Sequence, residues 1–497
     1  MPRGCPSARG KILPGAWLGV LTYVISPGLV DEAVGDGLAW EMRVRLLPAR
    51  VTAYFTLGLC LFSALPYQSV FLQVTAGLGL TAPATTALTA ARRRLGDKPL
   101  ESLFRRLCAP LSPAREPWSH VAGLLAVAWD GTGITVADTE ANAASFGRPG
   151  AARRQGAPPA PQIRLVMLIA CGTRAALGAA AGPCRGKGTG ERALAGQLLG
   201  RLRAGMVLLA DRGFYSWGLW NAAAATGASL LWRMPGVLHL PVVRELPDGS
   251  FLSRIEDPAE VQRRSLRNVG RRRRKPPLPP DTAPVPGITV RVIEYTLTVA
   301  GDDGTSRTER YRLATTLLDH RACPAPMLAG AYSRRWAIET GWRECKTHLR
   351  GSGRALRGKT PALARQELWA LLAVYQATRV LIARAAAGAG LDPARISFTA
   401  ALDAARRTMT ASRRHLRASL DTAEAEILSA LVPERPHRIC ARTVKRVPFA
   451  RWPARKRSQA PIPRRATRTA TITPPGTSTP TTPDQRKQPA TTETQPP

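Results

Sequence analysis

Three acidic residues have the surroundings that metal-assisted chemistry on a phosphate needs. Asp130 closes the apolar run VAGLLAVAWD and opens DGT, Asp211 closes MVLLAD and opens DRGFYS, and Glu339 stands in YSRRWAIETGWRECKTHL among Arg334, Arg335, Arg343, Lys346 and Arg350. Three carboxylates brought together repel one another unless cations neutralise them, and an all-oxygen donor set suits Mg²⁺ or Mn²⁺. Two such ions about 3.5–4 Å apart clamp the attacking and leaving oxygens of an in-line phosphoryl displacement. Arginine and lysine on either side would hold the backbone of a nucleic acid, Arg by a two-pronged hydrogen bond and Lys as a point charge. Each piece alone has a plainer reading. An Asp at the end of a strand is more often a turn residue than a ligand, and Glu339 paired with Arg335 and Arg343 on a surface helix adds only a few tenths of a kcal/mol.

The elements that must carry these residues follow from hydrophobic period. At about 100° per residue Tyr332, Arg335, Glu339 and Lys346 share one helical stripe, and Ile338, Trp342, Cys345 and Leu349 form an apolar stripe beside it. VAGLLAVAWD, GITVAD and IRLVMLIACG read as three buried strands, the first ending at Asp130. ERALAGQLLGRLRAG then reads as a helix ending at Gly205, MVLLAD as a strand ending at Asp211, YSWGLWNAAAATG as a helix closed by Gly227, and ASLLWRM as a fifth strand. This order predicts an α/β layered domain. If the Asp130 and Asp211 strands are neighbours, both carboxylates reach one edge of the sheet, and a helix packed across that edge supplies the third.

Around this core the character of the chain changes. Residues 16–115 read as helical. Residues 236–310 read as a β-rich insertion with a basic loop, VGRRRRKPPLPP, that is either a phosphate contact or simply solvated. Trp232, Tyr295 and Tyr311 lie on β segments, where packing is commoner than stacking on an extruded base. Helical residues continue to 434. Residues 435–497 hold 14 Lys and Arg against two acids with few aliphatic residues, so they are expected to be disordered.

The whole chain carries 71 Lys and Arg against 34 Asp and Glu, a net +37, which favours a polyanionic partner. A membrane is the weaker choice, because the run Val51 to Pro66 is short for a span and the stretch from Leu368 is interrupted by Arg379 and Arg384. No secretory signal is read at the start, so a cytoplasmic protein is expected. Eight cysteines stand singly, without CxxC or a Cys/His cluster, which supports neither a disulfide framework nor a zinc site.

Tyr332, Arg335, Glu339 and Lys346 also match, without a gap, the Tyr-x(2)-Arg-x(3)-Glu-x(6)-Lys signature of the DDE transposases of the insertion-sequence-four family, which the sequence resembles. The blocks DGTGITVADTEANAASFGRPG, LLADRGFYS and LARQELWALLAVYQATR are similar too, and the resemblance runs from about residue 16 to 395. It implies an RNase H-like catalytic core interrupted by a β-rich insertion, preceded by a helical DNA-binding domain and followed by the disordered basic tail. The expected boundaries are a leader at 1–15, the helical domain at 16–115, the core at 116–235 and 311–395 around the insertion at 236–310, a helical region at 396–434 and the tail at 435–497. By resemblance Asp130, Asp211 and Glu339 would be the catalytic, metal-binding triad for two Mg²⁺ or Mn²⁺ ions, while Tyr332, Arg335 and Lys346 would hold the transposon-end DNA. Arg212, beside Asp211, is a further candidate for a phosphate contact. The implied partners are terminal inverted repeats and target DNA, bound by a homodimer in a nucleoid-associated protein. Cut-and-paste transposition is the leading reading. A DNA-binding relative that no longer cuts and an RNase H-like nuclease without strand transfer stand as the alternatives.

Overall fold

A computed structural model describes residues 16–37, 47–112 apart from 77 and 79, 116–150, 159–273, 279, 282, 285–301, 306–410, 415–432 and 466–475. The leader at 1–15 and most of the basic tail lie outside the described residues. The chain divides into two compact units, Met1–Val237 with Ala314–Leu317 and Gly330–Arg438, and Leu238–Leu313 with Leu318–Ala329 and Ile439–Pro497.

The first unit opens with helices α1 (Pro27–Asp36), α2 (Ala49–Leu61), α3 (Tyr67–Val74), α4 (Thr85–Leu95) and α5 (Lys98–Leu107). Ser26 caps α1 by accepting from the Leu29 amide, and proline at its first position suits a helix start. Helix α2 is apolar on all sides and every residue from Val51 to Leu61 is buried, as a helix without a polar face must be. In α5, Leu100, Leu103, Phe104 and Leu107 are buried while Glu101 pairs with Lys98 and Arg105 on the outer face.

The sheet follows, with β1 (His120–Val121), β2 (Leu124–Thr135), α6 (Glu140–Phe146), β3 (Gln162–Ala170), β4 (Ala176–Pro183), α7 (Glu191–Gly196), β5 (Met206–Ala210), α8 (Trp217–Ala224) and β6 (Ser229–Arg233). Its order within this unit is β4-β3-β2-β5-β6. β2–β3 and β3–β4 are antiparallel, and β2–β5 and β5–β6 parallel. Two strand expectations are corrected. The strand does not stop at Asp130: β2 runs on to Thr135, and GITVAD is its continuation, because Gly131 and Gly133 keep pairing with Val166 and Arg164 of β3. The strand β4, ALGAAAGP, was not anticipated, since small residues carry little periodic signal. The helix expected to end at Gly205 is a short α7 followed by a 3₁₀ turn at Leu199–Arg201.

The second unit contains β7 (Arg244–Glu245), β8 (Phe251–Glu256), α9 (Pro258–Arg273), β9 (Gly287–Gly301) and most of β10 (Ser306–Thr315). Its buried anchor is Arg291 on β9, which donates to Ser250 Oγ and the Cys323 carbonyl and pairs with Asp248. The expected basic loop is corrected here: Arg271–Arg273 form the last turn of α9, a helix with no buried residue. Tyr295 and Tyr311 are buried and stacked on each other, centroids 5.0 Å apart. Trp232, of the first unit, is packed between Trp129 and Trp220.

Helix α10 (Ala325–Tyr332) leads through a 3₁₀ turn at Ser333–Arg335 into α11 (Trp336–Arg343) and a π-helical turn at Glu344–Leu349. The apolar stripe read from the sequence is the buried face: Ile338, Trp342, Cys345 and Leu349 are all in the core. Helices α12 (Pro361–Gly388), α13 (Phe398–Arg407) and α14 (Leu416–Ser429) complete the first unit. Among the described residues α12 is the helix long and apolar enough to cross a membrane, and 83% of its most apolar stretch is buried within the protein. Polar residues fix its place: Gln376 donates to the Leu107 carbonyl and accepts from the Ala176 amide, while Gln366 bonds Arg92 and the Gly96 carbonyl. Within the expected tail, β11 (Ala466–Ile472) pairs antiparallel with β9. The disorder expected at 466–472 is corrected by that pairing, for ATRTATI places β-branched Thr at every second position as a strand accepts well.

Glu344, turned inward from the signature segment, is bonded by Arg174 at 2.7 Å and paired with the fully buried Arg379. Removing one partner of a buried ion cluster strands the others' charge. Glu344→Gln should therefore lower stability by about 3–5 kcal/mol in urea unfolding, and a loss below about 1 kcal/mol would mean the two guanidinium groups find other partners.

Candidate active site

The parallel register of β2 and β5 sets the two aspartates level. The last paired residues are Ala128 and Leu209, and each aspartate lies two residues beyond its partner in that pair. Both are half-buried; Asp130 is still paired with Met167 of β3, and Asp211 directly follows β5. Glu339, on α11, is exposed, with 43% of its side chain open, and α11 packs along β2.

Arg335 sits among the three acids. Its Nη2 donates to Glu339 Oε1 at 3.1 Å, only 9% of its side chain is exposed, and its guanidinium lies over the Trp336 ring at 5.0 Å. Burial works against its charge, but Tyr332, Asp211, Glu339 and Asp130 act the other way and hold its pKa above the ordinary value. Asp130 shows the opposite balance. Burial pushes its carboxyl up to about 6, opposed by the Gly131 amide and Arg335 and reinforced by Glu191 and then Glu339. Desolvation disfavours the charged form of either group, so what differs is the sign of the neighbours.

The other signature residues take distinct places. Tyr332 is buried and its hydroxyl donates to the Ala210 carbonyl at 3.2 Å, directly before Asp211. A buried hydroxyl needs a partner, and this one finds it in the β5 backbone. Lys346 is half-buried, and its Nζ donates to Thr132 Oγ1 at 2.8 Å, two residues beyond Asp130. Burial and the charge of Arg350 lower its pKa. Arg212 is exposed beside Asp211, and Arg334 donates to the His120 carbonyl at 2.7 Å.

Among the described residues no three His, Cys, Asp or Glu side chains stand close enough to share one metal ion. Donor type still fits a hard divalent cation, since the three carboxylates offer oxygen alone and converge on a single guanidinium. Sequence reasoning passed over Thr132, Glu191 and Glu344. Thr132 and Glu344 lie inside quoted motifs, but nothing in their spacing distinguishes them from ordinary surface residues.

Segment 16–105 matches the family model described as insertion element 4 transposase N-terminal, and segment 123–377 that described as transposase DDE domain. The chain is 27% identical over 383 residues to Transposase InsG for insertion sequence element IS4 of Escherichia coli (strain K12), covering 76% of this chain and 79% of that protein. A solved piggyBac transposase synaptic complex with hairpin DNA overlaps 81% of this chain and 84% of its own, at 11% identity and a TM-score of 0.41.

The raised Asp130 pKa has a stability consequence. A carboxyl whose folded pKa lies above its unfolded value costs nothing below about 3.8, costs progressively more up to about 6, and carries the full cost beyond. That cost is about 3 kcal/mol at most, less whatever solvent screens. In chelator-treated protein near neutral pH, Asp130→Asn should therefore gain roughly 1–3 kcal/mol in urea unfolding, a gain that shrinks toward pH 4. An Asn variant no more stable than the wild type at neutral pH would show that ionising Asp130 in place is free of strain.

Proposed function

We propose, from the premise that this chain belongs to the DDE transposases of the insertion-element-4 family, that it moves its own insertion sequence by cut-and-paste transposition with Asp130, Asp211 and Glu339 as the catalytic triad. The observation that carries this reading is the level placement of Asp130 and Asp211 on parallel neighbours, with Glu339 beside them and Arg335 acted on by all three. The strand order β4-β3-β2-β5-β6, three antiparallel strands followed by two parallel ones, supports an RNase H-like core interrupted by the second unit.

In this reading the three carboxylates would hold two Mg²⁺ or Mn²⁺ ions, whose chemistry would be to favour the attacking oxygen as a nucleophile and to offset charge on the leaving one. The chain's own residues do the rest. Strands β2 and β5 keep two carboxylates at a fixed separation, since each is anchored by ladder hydrogen bonds up to two residues away. Tyr332 ties the end of β5 to the signature segment. Lys346 and Arg335 present charge at the rim of the site, where a scissile phosphate and its neighbours would be received, and Arg212 adds an exposed cation beside Asp211. Hydrolysis at the transposon end frees a 3′-hydroxyl, which then attacks a phosphodiester of the target. The helical segment 16–105 would bind the terminal inverted repeats, two copies of the chain would pair the two ends, and the protein would work on the nucleoid. A net +37 supports a DNA partner for all of these steps.

The test separates ligand from grip. With a labelled terminal-repeat duplex and Mg²⁺, Glu339→Gln should still shift the DNA and yet cut nothing at any DNA concentration. Lys346→Ala should weaken binding by roughly 1–3 kcal/mol, the range for charge-assisted hydrogen bonds, and recover part of its cleavage at saturating DNA. Equal recovery by both variants would remove Glu339 from the triad.

A further inference from the structure

A cavity of about 170 Å³ lies just past the signature segment, walled by the C-terminal end of α2, the stretch 350–357 and α12. Three arginines line it. Gly351 and Gly353, with φ of 94° and 71°, fold the chain back after Arg350, so that Arg354 and Arg357 come to the same place. Arg354 donates to the Ser63 carbonyl at 3.2 Å and Arg357 to the Leu65 carbonyl at 2.8 Å, so both help to close the turn that follows α2. Arg350 has no such task. It is nine-tenths buried, and its Nε and Nη1 have no hydrogen-bond partner among the described residues. The carboxylate in the wall is already engaged: Glu367 Oε2 accepts from the Arg357 and Gly358 amides at 2.9 and 3.1 Å and lies 3.7 Å from the buried Arg92. Water would satisfy two N–H groups but brings no charge, and three guanidinium groups face one carboxylate here.

We propose that this cavity is a binding site for a small oxyanion of the phosphate class, held from within by Arg350 Nε and Nη1 and joined by the exposed Arg354 and the Ser63 hydroxyl. A buried guanidinium calls for a charge-assisted partner, and donors arriving from two elements suit an anion with several oxygens. The bound anion ties the chain after the signature segment to the end of α2. The site stands apart from the metal-site reading, since none of these residues belongs to the triad or the signature. Its anion comes either from free phosphate or from the backbone of DNA.

Calorimetric titration of the purified full chain with inorganic phosphate, at constant ionic strength, tests the site. The wild type should bind, and Arg350→Gln should weaken binding by about tenfold or more, as loss of a charge-assisted hydrogen bond does. Ser63→Asp keeps Arg350 and sets a carboxylate in the cavity, so it should weaken binding likewise and raise the urea midpoint in phosphate-free buffer. Saturating duplex DNA then separates the two sources. A free-phosphate site keeps its phosphate affinity beside the duplex. A site filled by DNA loses it, and Arg350→Gln then lowers the slope of log affinity for DNA against log salt by about 0.9. If both variants bind phosphate as tightly as the wild type, the anion sits elsewhere and the inference is overturned. It is overturned equally if the wild type takes up no phosphate and Arg350→Gln leaves DNA affinity and its salt slope unchanged, for the cavity then holds only water.

Discussion

A buried charge cluster holds the signature segment in place. Glu344 points away from the site into the core, where it meets Arg174 from the turn after β3 and Arg379 from the middle of α12. Arg379 is wholly buried and lies over Phe398 and Tyr375, and burial together with the Arg174 charge drives its pKa well down. Such a cluster is costly to assemble and costly to break. Its effect is geometric: three separate elements agree on one rotation of the segment 336–349. With Glu344 fixed inward, Glu339 is left on the exposed side of α11, which packs along β2.

The other half of the site needs no such device, because parallel pairing does the levelling. Register between Ala128 and Leu209 carries Asp130 and Asp211 to the same height, and a slip of one residue would turn one aspartate to the opposite face. What remains is an electrostatic problem, since carboxylates held at one edge by a rigid sheet cannot move apart. Arg335 relieves part of it, while burial above all, with smaller contributions from Glu191 and Glu339, keeps the Asp130 pKa raised. Burying Asp130 at this place therefore works against the stability of the fold that carries it, as functional sites commonly do.

The legible parts of the sequence were those where a period meets a motif. The apolar stripe Ile338, Trp342, Cys345 and Leu349 announced the buried face of the signature helix, and the runs before Asp130 and Asp211 announced their strands. Composition misled where small residues dominate: ALGAAAGP forms β4 with hardly an aliphatic side chain, and the glycines after Asp130 suggested a turn inside what is one long strand. A run of arginines suggested a loop and is the end of α9, because arginine is a good helix former whatever its charge. Glu191 and Glu344 were illegible for a different reason. Their partners are 60 and 35 or more residues away, at Gly131 and at Arg379 and Arg174, and only the fold brings them together.

The π-helical turn at Glu344–Leu349 reconciles these demands. Arg350 N bonds the Cys345 carbonyl, five residues back, at 3.0 Å. A helix widened in this way closes its hydrogen bonds over five residues, where a regular one closes them over four. Within that turn Glu344, Cys345 and Leu349 are buried while Lys346 stays half-exposed and reaches Thr132 on β2. Inward anchoring by Glu344 and outward reach by Lys346 are thus accommodated within a single turn. The cation at 346 approaches β2 two residues beyond Asp130, and the carboxylate at 339 stays with Arg335. A turn that must face the core with one charge and the site with another has reason to depart from regular helical geometry.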